Sequence, residues 1–514
     1  MAVIGSLIKS TSKYAAKVVE KPVVKGHEYQ EKQLKKLLVK AKKTNFGKDF
    51  NFNQILKSDD IIKAFQAEVP VFDYNLMFQQ YWHKTLSGVE NVSWPGKIKN
   101  FALTSGTTGS ASKKIPVSDK MISSIKKAGI KQFLSFSKID VPAEFYACDI
   151  LFLGGSTALT TINSHVEGDL SGIMTGKVPQ WLAPFSKPNR RVRALRNWEE
   201  KIEAIVAEAP SWNIGIVCGV PAWIQMMIER IVDHYGLNSI FDVWPNLKIY
   251  VHGGVNFEPY MLKFNEIFKQ QVIYLDSYLT SEGFFAYQPL NSDGLELIVN
   301  NGVFFEFIPF NIENFDEEGE LRSYKNAVSL KDAVAGIDYG IVVSTNAGTW
   351  RYLLGDTIKF TDKERNKIKI TGRTKHFLSL CGEHLSVDNM TEALTKVCIE
   401  FNIDVREFVV IGGDVEGGFK HEWFFSSDKL VDLAAMKLRL DAALKTFNAD
   451  YALERQYALK DIELNMIPTT YFYEFMKIKG KYGAQHKFPR VMKGQYAEDW
   501  KCFLLDKLEV KTFA

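Results

Sequence analysis

Between residues 145 and 255 the chain alternates short apolar runs with amphipathic ones: "DILFLGG", "WEEKIEAIVAEAP", "WNIGIVCGVP", "AWIQMMIERIVDHYG", "LKIYVHGG". The first, third and fifth are apolar enough to be strands covered on both faces. The second and fourth repeat their apolar residues at helical spacing. Strand and helix in strict rotation predict a layered α/β core around a largely buried sheet. "FKQQVIYLDSYLTSEG" adds a further buried strand that ends in a polar turn.

The texture changes on either side. Upstream, the first twenty residues carry helical spacing without a signal-peptide core and predict a helix docked on the body. Residues 28–45 read as a basic amphipathic helix with a solvated Lys-rich face. After residue 290, "LELIVNNGVFFEFIPF" places Asn301-Gly302, a hairpin signal, between alternating strands. "GIDYGIVVSTNAGTWRYLLGDTIKFTDKERNKIKITG" reads as a β-meander, so residues 290–370 are expected to form a β-rich subdomain. From Gly372 onward strand pairs alternate with helices, the pattern of a small α+β domain. The expected division is a large unit, 1–371, and a small mobile unit, 372–514.

With 514 residues and 46% hydrophobic content the chain can bury several cores. Sixty-four basic against sixty acidic side chains leave a charge of only +4. That balance argues against nucleic acid as a partner. No run of 18 apolar residues predicts a membrane span. Five scattered cysteines form neither metal-ligand spacing nor a disulfide framework, and a reducing cytoplasm is the expected setting.

Four segments carry candidate chemistry. In "KNFALTSGTTGSASKKIPVS", residues 99–118, small and hydroxylic residues lie between two strand-like runs and are followed by Lys113 and Lys114. A Walker A loop would need glycine where Ala111 stands, and it would open a helix. This loop returns into a strand. Gly106 and Gly109 can nonetheless turn backbone N–H groups inward as an anion nest, and the two lysines add charge. A mobile surface hairpin would read much the same. "YLTSEG", 278–283, follows a buried strand and offers Glu282 for a magnesium ion shared with phosphate oxygens, or as a simple cap. "WRYLLGDTIKF", 350–360, sets Asp356 where a carboxylate can accept ribose hydroxyls, with Arg373 nearby in "ITGR". An isolated Gly-Asp is also an ordinary turn. "GKYGAQHKFPR", 480–490, places Lys487 in a glycine-rich stretch, where a lysine is most often solvated.

In this order and spacing the four segments resemble the adenylate-forming superfamily of acyl-CoA synthetases, luciferases and adenylation domains. Within it the chain is most similar to the Gretchen Hagen family of acyl acid amido synthetases. "SASKKIPVS", "TNFGKDFNF", "GVPAWI", "GRTKHFLSLCGEHL" and "QHKFPR" look like its blocks. Ser110 and the pair Leu279-Thr280 depart from the family's commoner residues.

The resemblance implies that a small carboxylic acid is adenylated by ATP with Mg²⁺ and then passed to an amine, usually of an amino acid. It implies phosphate contacts from Ser105, Gly106, Thr107, Thr108, Gly109, Lys113 and Ser281, and magnesium on Glu282. Tyr278 would stack on adenine, Gly253 and Gly254 would border the base, and Asp356 with Arg373 would hold the ribose. Lys487 would reach in from a C-terminal unit hinged near Lys375. Val220, Pro221, Trp223 and Met226 are candidates for the acyl pocket, or equally for ordinary core. An acyl-CoA ligase is the nearest alternative, and a non-catalytic acyl-acid sensor the next. Oligomeric state is not legible.

Overall fold

The computed structural model describes every residue except 1, 20–24, 105–112, 179–181, 256, 291, 317, 376, 379, 382, 384, 417, 484, 485, 513 and 514. Its organising element is a twelve-stranded mixed sheet. One half is parallel: Ser186–Lys187, Asp149–Phe152, Ile214–Cys218, Ile249–Gly253 and Ile273–Thr280 lie side by side in that order. These are the apolar runs of the sequence, and burial on both faces explains why they lack alternation. Helices Trp198–Glu208, Pro221–Tyr235 and Glu258–Phe268 connect them. Pro221 opens the middle helix, and Gly236, at φ +60°, ends it in the left-handed conformation a C-terminal cap needs.

The other half of the sheet is antiparallel and is formed by Gly283–Tyr287, Leu295–Leu297, Lys367–Arg373, Tyr352–Asp362, Asp338–Thr345, Val303–Pro309 and Val328–Ser329. The β-rich stretch thus continues the α/β sheet through the tight turn at Ser281-Glu282. The hairpin expected at Asn301-Gly302 does not form. Leu295–Leu297 pairs with 283–287 and 367–373, whereas Val303–Pro309 pairs with 338–345. Gly302 does take a turn, with φ +84°. But the Asn301 amide donates to Ser124 O at 2.8 Å and Gly302 N donates to Gln33 Oε1 at 3.2 Å. Two helices hold the turn, and the strands leave it in different directions.

A second, four-stranded sheet runs Lys113–Val117, Asn100–Thr104, His165–Gly168, Thr160–Ile162. Helix Asp119–Ser135 leaves it, capped by Ser118, whose Oγ accepts from Met121 N at 3.0 Å. The N-terminal helix Ala2–Val19 docks on the body, with Lys9 Nζ donating to Val141 O at 2.6 Å. Helix Gly26–Ala41 buries Leu34, Leu37 and Leu38 and turns its lysines outward.

The C-terminal residues form a four-stranded sheet, Leu459–Met466, Gly418–Phe425, Phe408–Val415 and Val491–Met492. It has its own apolar core around Trp423, Met436, Leu440 and Tyr451. A second apolar cluster joins C-terminal Phe472, Phe475, Phe488 and Trp500 to Trp198, Trp223 and Tyr260 of the α/β layer. That contact holds the C-terminal sheet against the carboxyl ends of the parallel strands.

Candidate active site

The carboxyl end of a parallel sheet is where an α/β protein offers a crevice, and the separated segments meet there. Asp356 and Arg373 are direct cross-strand partners in the 352–362/367–373 pair. Arg373 Nε lies 3.0 Å from Asp356 Oδ1, and the Tyr278 hydroxyl donates to Asp356 Oδ2 at 2.7 Å. Burial, reinforced by the adjacent Asp356 charge, pushes the Tyr278 phenol well above its ordinary range, so it stays a hydrogen-bond donor. Tyr278 is itself buried, with its ring edge-on to Phe285.

Glu282 sits in the turn that joins the two halves of the sheet and is 7% exposed. Burial raises its carboxyl, and Asp356 adds to that, while the Thr280 hydroxyl, its own backbone N–H and Lys113 pull it back. A buried carboxylate with too little compensating charge is a place where a bound cation gains. Among the described residues no group of three or more His, Cys, Asp or Glu could hold a metal by itself. The donor set therefore fits a hard cation that draws its other oxygen ligands from a polyphosphate. Ser281 lies half-buried in the same turn.

Lys113 begins the strand that follows the hydroxyl-rich loop. Its ammonium lies 5.3 Å from the centroid of the Tyr74 ring. Burial lowers its proton affinity; Glu282 and Asp73 oppose this, and Arg373 and Lys375 add to it. Strand alternation sends the neighbouring lysine to the opposite face. Lys114 Nζ meets Glu167 Oε1 at 2.6 Å, and the same carboxylate oxygen lies 2.8 Å from His165 Nε2. The second lysine of the pair is therefore anchored to Glu167 on the opposite face of the strand from Lys113. The loop residues Ser105, Gly106, Thr107, Thr108 and Gly109 lie outside the described residues.

Gly253 and Gly254 close the strand Ile249–Gly253. A Cβ on Gly253 would come within 2.4 Å of Ser277 O, and Gly254 takes φ +85°. Both positions need glycine, the first for close strand approach and the second for its backbone conformation. The Gly254 carbonyl accepts a hydrogen bond from Lys487 Nζ. One flank of the Lys487 side chain remains open to solvent. The protein packed around its ammonium draws its proton affinity down to about 8, with Asp356 opposing, Arg373 adding and Asp276 opposing. Lys375 lies exposed after the last strand of the large sheet and pairs with Glu320.

Trp223 and Met226, candidates for the acyl pocket or equally for ordinary core, pack against the C-terminal chain. Trp223 is 2% exposed, packed between Trp198 and the C-terminal Tyr473 and Tyr482. Its Nε1 donates to His486 O at 3.0 Å, and Met226 Sδ accepts from the Tyr482 hydroxyl at 3.6 Å. Pro221 is buried at the helix start, while Val220 lines a narrow space beside Lys487. The apolar spacing on this helix thus reflects its seat against the C-terminal chain.

Three participants escaped the sequence reading. Tyr74 lies under Lys113, and its hydroxyl accepts from Lys114 N at 3.0 Å. Its only local signal is Asp73, which caps the short helix Tyr74–Met77. Tyr260 is buried on helix Glu258–Phe268 and Asp276 lies part-exposed on strand Ile273–Thr280, and neither sits in a motif of its own.

Comparison with known proteins bears on the fold and the family. The jasmonoyl–L-amino acid synthetase JAR6 of Nicotiana attenuata is 25% identical over 237 residues, 41% of this chain and 38% of its own length. Indole-3-acetic acid-amido synthetase GH3.4 of Arabidopsis thaliana is 24% identical over 209 residues, 38% of this chain and 34% of its own. The chain thus matches little more than a third of these curated relatives. The fold matches over almost the whole chain. The GH3.15 acyl acid amido synthetase structure superposes with a TM-score of 0.76 at 15% identity, covering 95% of both chains. A 2-hydroxyisobutyryl-CoA ligase in the postadenylation state gives 0.62 at 11% identity, covering 94% and 92%. Family models match in order along the sequence, the GH3 N-terminal domain at residues 15–161 and 156–273, the central domain at 296–373 and the C-terminal domain at 388–495. Together they cover most of its length, and the chain belongs to the GH3 family.

Proposed function

We propose that this protein is an ATP-dependent acyl acid amido synthetase: it adenylates a small carboxylic acid and transfers the acyl group to an amine, such as that of an amino acid. The observation that carries this reading is the convergence of Lys113, Glu282, Asp356, Arg373 and Lys487 on one crevice from four separate segments of the chain. The names of the relatives, which describe acid–amino acid ligation, support it.

In the first half-reaction a carboxylate oxygen attacks the α-phosphorus of ATP, and the bond to pyrophosphate breaks. Two anions must approach, so positive charge has to stand where negative charge gathers. Lys113 faces the β- and γ-phosphates, with Ser281 and the loop residues 105–109 as further donors. Lys487 faces the α-phosphate. A compact ammonium on a flexible stem suits a group that arrives for one step. Asp356, held by Tyr278 and Arg373, accepts the ribose hydroxyls, and Gly253 and Gly254 leave room for the base. Glu282 would hold Mg²⁺, which would supply charge neutralisation for the pyrophosphate. In the second half-reaction the amine nitrogen attacks the acyl carbon, the C–O bond to AMP breaks, and the nitrogen gives up a proton. For that step we propose that residues 372–514 turn about a hinge near Lys375 and withdraw Lys487. The free cysteines fit a reducing compartment.

The test is AMP release in a panel of carboxylic acids with ATP and Mg²⁺, run with amino acids and with CoA, and mass spectrometry of the products. An amide formed with an amino acid is the expected result. A thioester formed only with CoA would replace this reading with an acyl-CoA ligase. The absence of ATP–pyrophosphate exchange with every acid would leave a sensor.

A further inference from the structure

Lys487 can reach the crevice only if the backbone carrying it is docked, because among the described residues its side chain makes one hydrogen bond there, to the Gly254 carbonyl. The docking contacts lie on both sides of it. One residue before, the His486 carbonyl accepts from Trp223 Nε1 at 3.0 Å. Three residues after, Arg490 Nη2 donates to the Tyr260 hydroxyl at 3.1 Å. Arg490 is in turn fixed within the C-terminal sheet. Its Nη1 meets Glu407 Oε2 at 2.5 Å and Phe408 O at 3.1 Å, and its guanidinium lies 4.6 Å from the Phe408 ring centroid. Tyr260 and Glu407 thus share the Arg490 guanidinium as a common partner, one on each side of the unit boundary. Tyr260 and Glu407 are each 3% exposed and Trp223 2%, so no water competes for these bonds.

All three groups are expensive to bury without partners. An indole N–H, a guanidinium and a carboxylate each lose hydration that only this arrangement replaces. Their donors and acceptors come from both units: Trp223 and Tyr260 from helices of the α/β layer, His486 and Arg490 from the C-terminal chain. Neither Trp223 nor Tyr260 touches a residue that the mechanism assigns to ATP, other than through the chain carrying Lys487.

We propose that Trp223 and Tyr260 are positioning residues that clamp residues 486–490 on either side of Lys487 and so commit the enzyme to adenylation, with no part in amide formation. This rests on the function proposed above. Making the clamp brings the ammonium to the α-phosphate, and breaking it is the first event that clears the site for an amine. Two hydrogen bonds of the clamp cross the unit boundary, beside the contacts of the Trp223 ring with Tyr473 and Tyr482.

Two conservative variants test it. Tyr260→Phe removes one hydroxyl and keeps the ring; Trp223→Phe removes the N–H donor and keeps an aromatic. Three readouts apply to each: ATP–pyrophosphate exchange at saturating substrate, amide formation from preformed acyl-adenylate, and hydrogen–deuterium exchange of the peptide containing 486–490 in the ligand-free full chain. For Tyr260→Phe we expect pyrophosphate exchange to fall about tenfold, amide formation to stay within about twofold of wild type, and deuterium uptake to quicken about tenfold. Equal losses in both half-reactions, no loss in either, or unchanged deuterium uptake would overturn the clamp. If Trp223→Phe fails to fold, Tyr260→Phe decides alone. A wild-type protein that shows no pyrophosphate exchange with any acid would sink the functional reading, while deuterium uptake in the variants would still judge the docking.

Discussion

Lys487 holds its proton less tightly than a free lysine because protein atoms have replaced much of the water around its ammonium, with Arg373 opposing its charge and Asp356 and Asp276 favouring it. Only the protonated form can offset charge at phosphorus. As pH rises through about 8 that form is lost, so kcat/KM for adenylation should decline on the alkaline side of pH 8. Amide formation from preformed acyl-adenylate should show no such limb. A pH profile of each half-reaction checks this, and a shared alkaline limb would assign the titration to another group. Lys487→Ala should cost adenylation about 10²–10³-fold, the usual range for one lost charge-stabilising group. Asp356 makes a different demand. It is the common acceptor for Tyr278 and Arg373, and Asn at that position keeps the shape but not the charge. Asp356→Asn should weaken binding of a non-hydrolysable ATP analogue about tenfold to a hundredfold by calorimetry, with little change in melting temperature. Asp356 and Arg373 were legible in the sequence because neighbouring strands make them partners and few residues separate them. Tyr278 was legible as a site residue; its role as hydrogen-bond donor to Asp356 depends on a contact between residues 78 apart.

Lys113 and Lys114 show what a strand adds to its residues. Read along the sequence they are two equivalent charges beside a flexible loop. The pleat turns one toward Tyr74 and Glu282 and makes the other an anchor on Glu167, and only the partner of each reveals which is which. Glu167 carries the anchor. Burial alone would raise its carboxyl, but Lys114 and His165 outweigh burial and hold it below the ordinary value of 4.5. A carboxyl held low contributes stability above its unfolded value and loses that contribution as pH falls through the lowered one. Glu167→Gln should therefore reduce unfolding free energy in urea by about 1–3 kcal/mol near neutrality, with the gap to wild type shrinking below pH 4.5. Adenylation should weaken as well, since the strand that aims Lys113 loses its tether; a stability loss without a kinetic one would separate the two roles. The same limit on sequence reading governed the helix Pro221–Tyr235. Its apolar period left Trp223 equally open to an acyl pocket and to core, and nothing local could say that it packs against residues more than 240 positions later.

At the scale of the molecule, the order of segments along the chain was legible because each carries a short motif, and the α/β alternation placed most of them at one end of a sheet. The relation between the C-terminal sheet and the rest was not, since it depends on contacts that no periodicity encodes. Those contacts are of two kinds. The clamp around Lys487 and the aromatic cluster beneath it are buried. Around them lie cross-unit ion pairs that keep solvent access: Arg406 with Glu229 at 3.3 Å, Lys263 with Asp428 at 3.7 Å and Lys477 with Glu199 at 3.0 Å. Exposed pairs contribute about 0.2–1 kcal/mol each, and salt screens them. Three of them acting together, about 0.6–3 kcal/mol, bias the seated arrangement by about threefold to roughly a hundredfold. Raising NaCl from about 0.05 M to about 0.5 M shortens the Debye length from roughly 14 Å to roughly 4 Å and should remove much of that bias. With ATP held saturating, so that weaker nucleotide binding does not enter, the rate of pyrophosphate exchange should fall two- to fivefold while amide formation from preformed acyl-adenylate holds steady or quickens. Arg406→Ala should reproduce part of the loss at low salt and blunt the response to added salt. If both half-reactions slowed alike, these pairs would be ordinary surface ion pairs, and the seat of the C-terminal sheet would rest on the buried contacts alone.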